Sequence, residues 1–170
     1  FMLEDAEAVC DTPDVFEGVM ELRRHSLLRS EVDAVSQVTR YSMLESVRSY
    51  AEEKVQELGE PARATLREQH ATRFVAVAEA CIEKQRTRAE ADALRRFQME
   101  FDNVRAAIQW AQQGGQPTTC ARLALPLAIA LQRLGYFSEA GQAIETGLQA
   151  GRERVAGDVF DALVAGGHHF

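Results

Sequence analysis

Proline is scarce in this chain, with 4 in 170 residues, and lysine nearly absent: Lys54 and Lys84 are the only lysines among 19 basic residues, the rest being arginine. Few prolines beside abundant Ala, Leu, Glu, Gln and Arg is the vocabulary of helices. No apolar run approaches the roughly 20 residues of a membrane span, and no basic-then-apolar leader opens the chain. A phosphate-cradling G-x-x-x-x-G-K-[ST] loop is missing, so ATP hydrolysis by this chain is not expected. The cysteines are three, Cys10, Cys81 and Cys120. Odd in number, far apart and set among apolar neighbours, they read as reduced core thiols of a cytoplasmic protein. The first residue is Phe1, not Met, and the chain is expected to be a piece of something longer.

What charge there is falls unevenly. The formal net charge is -7, and residues 1–55 carry six basic residues (Arg23, Arg24, Arg29, Arg40, Arg48, Lys54) against twelve acidic ones, a net of -6. An acidic segment repels phosphate, whereas duplex binding needs Lys or Arg to replace condensed counterions. Direct nucleic-acid binding is therefore not expected. With 46% hydrophobic residues, a chain of this length can bury one core or two small ones.

The pattern predicts a short helix over 3–10 with Leu3, Ala6, Val9 and Cys10 inward, then the D-T-P-D turn. Asp14 is placed to cap a second helix over Val15 to Arg24, with Phe16, Val19, Met20 and Leu22 on its apolar face. Ser26 to Val32 and Thr39 to Leu44 are β-rich and separated by a polar connection, which predicts a hairpin with Leu28, Val32, Tyr41 and Met43 on one face. A third helix runs from Leu44 to Leu58 over Leu44, Val47, Tyr50, Ala51, Val55 and Leu58, and Gly59 and Pro61 end it. Helix, helix, hairpin and helix describe a small winged-helix-like domain.

Beyond it the period stays helical. Pro61 to about Gln85 carries Leu66, His70, Phe74, Val77, Ala78 and Cys81 on one stripe. Thr87 to Phe101 forms the next helix, with Leu94, Phe97 and Phe101. The stretch Glu100 to Trp110 then repeats Phe101, Val104, Ala107, Ile108 and Ala111 at helical spacing, with Glu100, Asp102 and Arg105 on the polar side and Asp102 or Asn103 available as a cap. Gly114 and Gly115 break it, and Pro117 with Thr118 or Thr119 opens an apolar helix over Cys120 to Leu134 in which Pro126 predicts a kink. The segment L-G-Y-F-S-E-A (Leu134 to Ala140) turns into a helix from Ser138 to about Arg152 and matches the second half of a tetratricopeptide-like repeat, with small Ala140 and Gly147 allowing close approach. Gly157 to Phe170 begins one more helix, with Phe160, Leu163 and Val164. A repeat unit cannot bury its face alone, so a missing neighbour is expected there. The fold class is thus mainly α, a winged-helix-like domain over 1–59, a helical linker region over 60–115, and the start of antiparallel tetratricopeptide-like repeats over 116–170.

Chemistry is sparse. His70 lies on an apolar stripe and reads as a core or boundary histidine rather than a ligand. His168 and His169 have no Cys or carboxylate at metal spacing and read as a tail, so no metal site is expected. Glu45, Glu52 and Glu53 read as a solvated helix face. Arg95 and Arg96 read as surface charge, one of which could pair with Glu100 or Asp102. No Ser, His and Asp arrangement or nucleophile elbow is visible, so no catalytic residue is assigned.

Four motifs in register, Y-S-M-L-E-S-V-R-S-Y-A (Tyr41 to Ala51), Q-H-A-T-R-F (Gln69 to Phe74), E-F-D-N-V-R-A-A-I-Q-W-A (Glu100 to Ala111) and L-G-Y-F-S-E-A, are similar to large bacterial signal-transduction ATPases of the NB-ARC, or STAND, type, including LuxR-family and antibiotic-regulatory transcription factors. The resemblance implies an ATPase core upstream, then a winged helix, a helical linker and tetratricopeptide repeats that receive a signal. Relatives often carry Met-His-Asp where this chain has Met43, Leu44 and Glu45, the His reaching the ADP phosphate. Leu44 has no donor, and Arg48, one turn along the same helix, is the remaining candidate for a nucleotide contact.

The expected function is a non-enzymatic regulatory fragment. It would couple the repeats to an upstream nucleotide-binding core, with ATP or ADP held upstream and no cofactor in the fragment itself. The expected partners are that upstream domain and downstream repeats of the same protein, with a protein or small-molecule signal meeting the surface around Arg133, Tyr136 and Glu139. No membrane and no direct nucleic acid are expected. The alternative is a stand-alone tetratricopeptide-like adaptor that binds a partner peptide, and DNA binding through the wing is the third reading.

Overall fold

A computed structural model describes residues 1–10, 12–34, 37–114 and 116–154. Among these are eight helices and one two-stranded antiparallel sheet. The chain divides into two compact units, Phe1–Arg73 and Phe74–Phe170.

The first unit opens with α1 (Leu3–Val9) and α2 (Val15–Arg24), then β1 (Leu28–Val32) and β2 (Thr39–Met43), then α3 (Glu45–Glu57) and the first part of α4 (Glu60–Glu83). It is the winged-helix-like order the sequence predicts. At the head of α1 the Met2 N–H donates to the Asp5 carboxylate at 2.7 Å, half of a capping box. β1 and β2 pair Leu28 with Met43, Ser30 with Tyr41 and Val32 with Thr39. The small core gathers Val19, Leu28 and Tyr41, with Phe1, Leu3, Ala6, Val15, Met20 and Met43 packed around it.

Several expectations for this unit give way. Cys10 is exposed, because α1 ends at Val9 and Cys10 follows as its cap in extended backbone, off the helix's inward face. On α2 only Val19 is buried, while Phe16 and Leu22 stand in solvent. Asp14 occupies the cap position of α2 but its side chain makes no capping bond. Val32 shares a face with Leu28 and Tyr41 yet is exposed, since it lies at the far end of the hairpin from α1 and α2. α3 starts one residue after Leu44, which caps it, and none of its residues is buried despite their period.

In the second unit, α4 continues to Glu83 and is followed by α5 (Glu90–Gln98), α6 (Phe101–Gln113), α7 (Pro117–Arg133) and α8 (Phe137–Arg154). α5 is shorter than the predicted Thr87 to Phe101: the chain turns at Met99 and Glu100, and Phe101 opens α6 instead. Phe97 and Phe101 then meet edge to face across that corner, centroids 5.5 Å apart. The predicted face of α6, from Phe101 through Val104, Ala107 and Ile108 to Ala111, is buried. Asp102 and Asn103 lie inside α6 rather than at its cap, which is Glu100. Thr118 and Thr119 likewise lie inside α7, capped by Gln116 with Pro117 in its first turn, where the missing N–H is harmless.

α7 is buried on most sides and runs as one helix through buried Pro126. It ends in a Schellman motif. The Tyr136 N–H donates to the Leu131 carbonyl at 2.9 Å and the Gly135 N–H to the Gln132 carbonyl at 3.0 Å. Gly135 has φ +86°, the left-handed conformation the motif requires. α8 folds back along α7 with Ala140 and Gly147 buried against it. The predicted helix over Gly157 to Phe170, and His168 and His169 with it, lies outside the described residues.

Candidate functional site

The turn between α7 and α8 presents the densest set of candidate side chains. Tyr136 and Phe137 follow Gly135 and are 48% and 62% exposed, so two aromatic rings stand in solvent at one corner of the helix pair. Around them the charged residues hold neighbouring helices. Arg133 pairs with Glu90 of α5 at 3.1 Å. Glu139 accepts from Arg105 of α6 at 3.0 Å, and the Arg105 guanidinium lies 5.8 Å from the Phe101 ring centroid. Arg133 and Glu139 are thus occupied in cross-helix ion pairs, and of the three expected partner-contacting residues Tyr136 is the one presented outward. Such exposed pairs hold little energy, on the order of 0.2–1 kcal/mol each, and can exchange partners when another surface arrives.

The strongest polar features were not legible as such. Glu100, expected on a polar face, is 0% exposed. Its Oε1 accepts from Arg96 at 2.7 Å and its Oε2 from Asn103 at 2.6 Å. Arg96, read as surface charge or a partner of Glu100, is half-buried and is that partner. The signal was present in the spacing, since Arg96 and Glu100 are i and i+4. In the first unit Asp5, 2% exposed, accepts from Arg73 Nε at 3.0 Å and from the Met2 N–H, and no local pattern joins residues so far apart. A buried carboxylate is tolerated only when hydrogen-bonded, and both are. They hold corners of the fold.

Among the described residues, no three His, Cys, Asp or Glu side chains are grouped to hold a metal ion. Burial pushes the Cys120 thiol up to about 11 and raises that of Cys81, the nearby Glu90 adding to the latter. At neutral pH both are protonated and poor nucleophiles. His70 is half-buried and partnered. Leu44 is exposed, and Arg48 lies 3.9 Å from Glu45 on an open helix surface. Glu45, Glu52 and Glu53 are solvated, as their spacing predicts. An open cleft of about 430 Å³ is lined by Glu7, Cys10, Thr12, Pro13 and Gln69. No helix among the described residues is long and apolar enough to cross a membrane.

The chain is 37% identical over 92 residues to proteins of Mycobacterium tuberculosis and Mycobacterium bovis named as HTH-type transcriptional regulators, a match covering 52% of this chain and 10% of each relative. The chain is similar to transcriptional regulators. It spans about a tenth of the length of the curated relatives it matches. No family model matches it, and no solved structure does.

Proposed function

We propose that the chain is a non-enzymatic regulatory segment of a large STAND-type, NB-ARC-containing ATPase transcriptional regulator of the LuxR kind. A winged-helix-like unit lies beside a nucleotide-binding core in that protein, and the α7–α8 pair begins a tetratricopeptide-like array that receives a signal. The observation that carries this reading is a winged-helix-like unit followed by a Schellman-turned helix pair, in a chain matching a tenth of much longer regulators. The nucleotide sits upstream, and this segment hydrolyses nothing and carries no cofactor. The partners are domains of the same protein and a signal that meets the Tyr136 and Phe137 corner. The relatives' names speak of a helix-turn-helix, but the -6 balance of residues 1–55 disfavours duplex contact by this segment.

Calorimetry with ADP and ATP, on this chain and on the full-length protein, tests the reading. Binding to the full-length protein alone supports it. Binding to this chain, or to neither, overturns it.

A further inference from the structure

We propose that Ser26, in the corner between α2 and β1, is a phosphoacceptor for an arginine-directed serine/threonine protein kinase. α2 ends in a Schellman motif: the Leu27 N–H donates to the Leu22 carbonyl at 2.9 Å and the Ser26 N–H to the Arg23 carbonyl at 2.9 Å. Glycine is the usual residue at the left-handed position of that motif, yet Ser26 holds it at φ +59°. The strained backbone brings no packing in return, because Ser26 is exposed and its hydroxyl bonds to no described residue. A free hydroxyl held out at a strained turn points to chemistry rather than to stability.

The neighbouring residues supply the recognition. Arg23 and Arg24 stand three and two residues before Ser26, and Leu27, 40% exposed, follows it. Carboxylates in the cleft of an arginine-directed kinase read such a pair of guanidiniums, and an apolar pocket takes the next residue. Both arginines are exposed. Arg24 meets Glu21 across a solvated 2.6 Å contact, and Arg23 has no ion pair among the described residues. A kinase takes its substrate segment extended. Glu21 through Leu27 are all exposed, so the last turn of α2 can unwind without uncovering Val19 or Leu28. The Ser26 Oγ then attacks the γ-phosphorus of ATP: an O–P bond forms, the bond from that phosphorus to the ADP oxygen breaks, ADP leaves, and a kinase carboxylate takes the hydroxyl proton. Thr87, among Lys84, Arg86 and Arg88, is the next candidate, but its hydroxyl already donates to the Lys84 carbonyl at 2.6 Å and accepts from the Ala89 N–H. Three of the six basic residues of 1–55 (Arg23, Arg24 and Arg29) lie within three residues of Ser26, and a phosphate of roughly -2 charge offsets most of theirs.

The test incubates the folded full-length protein with ATP, Mg²⁺ and the catalytic subunit of cyclic-AMP-dependent protein kinase, and locates phosphate by mass spectrometry. Ser26 should be phosphorylated stoichiometrically, and Ser26→Ala should abolish that signal. Replacing both arginines, Arg23→Ala with Arg24→Ala, should slow the modification about tenfold or more. Both side chains are exposed, so this variant should keep the melting temperature of the parent. An unmodified Ser26 in the folded protein overturns the inference, as does modification that begins only after heat unfolding or that keeps the parent rate in the arginine variant. Phosphate on Thr87 in place of Ser26 overturns it too.

Discussion

Arg73 of α4 reaches back to Asp5 of α1, its Nη2 2.9 Å and its Nε 3.0 Å from the same carboxylate oxygen, so one side chain fastens the first helix to the fourth. The same guanidinium lies 3.1 Å from the exposed Glu4. Removing Arg73 takes away the cation that faces this buried carboxylate. Arg73→Ala should destabilise the fold by about 3 kcal/mol, the low end for breaking a buried pair, because Arg73 itself is partly solvated. Urea unfolding checks this, and a loss under about 1 kcal/mol would show that water replaces the guanidinium.

Glu100 makes the corresponding contact in the second unit. Glu100→Ala withdraws the acceptor that Arg96 and Asn103 share and opens a void at the α5–α6 corner. A loss of about 3 kcal/mol is expected, against about 1 kcal/mol for Glu100→Gln, which keeps the shape and part of the bonding. Calorimetric melting of the two variants separates the charge from the volume.

Gly135 is predicted to resist substitution for backbone reasons alone. Nothing lies within 4 Å of the position a Cβ would take, so Gly135→Ala meets no clash. Its φ of +86° still disfavours any L side chain. The variant should lose about 1 kcal/mol, read as a fall in Tm. An unchanged Tm would mean that the turn relaxes out of the Schellman geometry.

Stability should fall in alkali through Cys120. Burial pushes its folded pKa up to about 11, above the ordinary thiol value of 9.0, so the folded state holds the thiol proton more tightly than the unfolded chain does. The stabilisation is fully present below pH 9 and is lost as pH rises towards the folded value. Between pH 9 and pH 10 the loss should be about 1 kcal/mol. Chemical denaturation at both pH values should show that slope in the parent chain and a shallower one in Cys120→Ala.

Much of the fold was legible because it follows from period and punctuation. Val15 to Arg24 is a helix with the predicted ends, the hairpin forms where two β-rich runs flank a polar link, and the greasy face of α6 is the buried one. Gly135 and the small Ala140 announced the helix pair. Burial was harder to read. α3 has a regular apolar stripe and no buried residue, while Glu100 and Asp5 are charged and enclosed. An apolar stripe reports what a helix could bury, and only the presence of a facing element makes it do so. A carboxylate is enclosed when donors are carried to it. For Glu100 the nearer donors are one helical turn away and could be inferred, but for Asp5 the donor lies on another helix.

The sequence by itself determined the helical composition, the element order, the absence of a phosphate loop and the acidic balance of residues 1–55, because each depends on residue type and local spacing. Tertiary structure alone decided the pairing of Phe1 with Tyr41, the Arg73 clasp on Asp5, the seclusion of Glu100 and the outward aim of Tyr136. Each of these depends on which distant groups the chain brings within hydrogen-bonding distance, and on which surfaces are left without a neighbour.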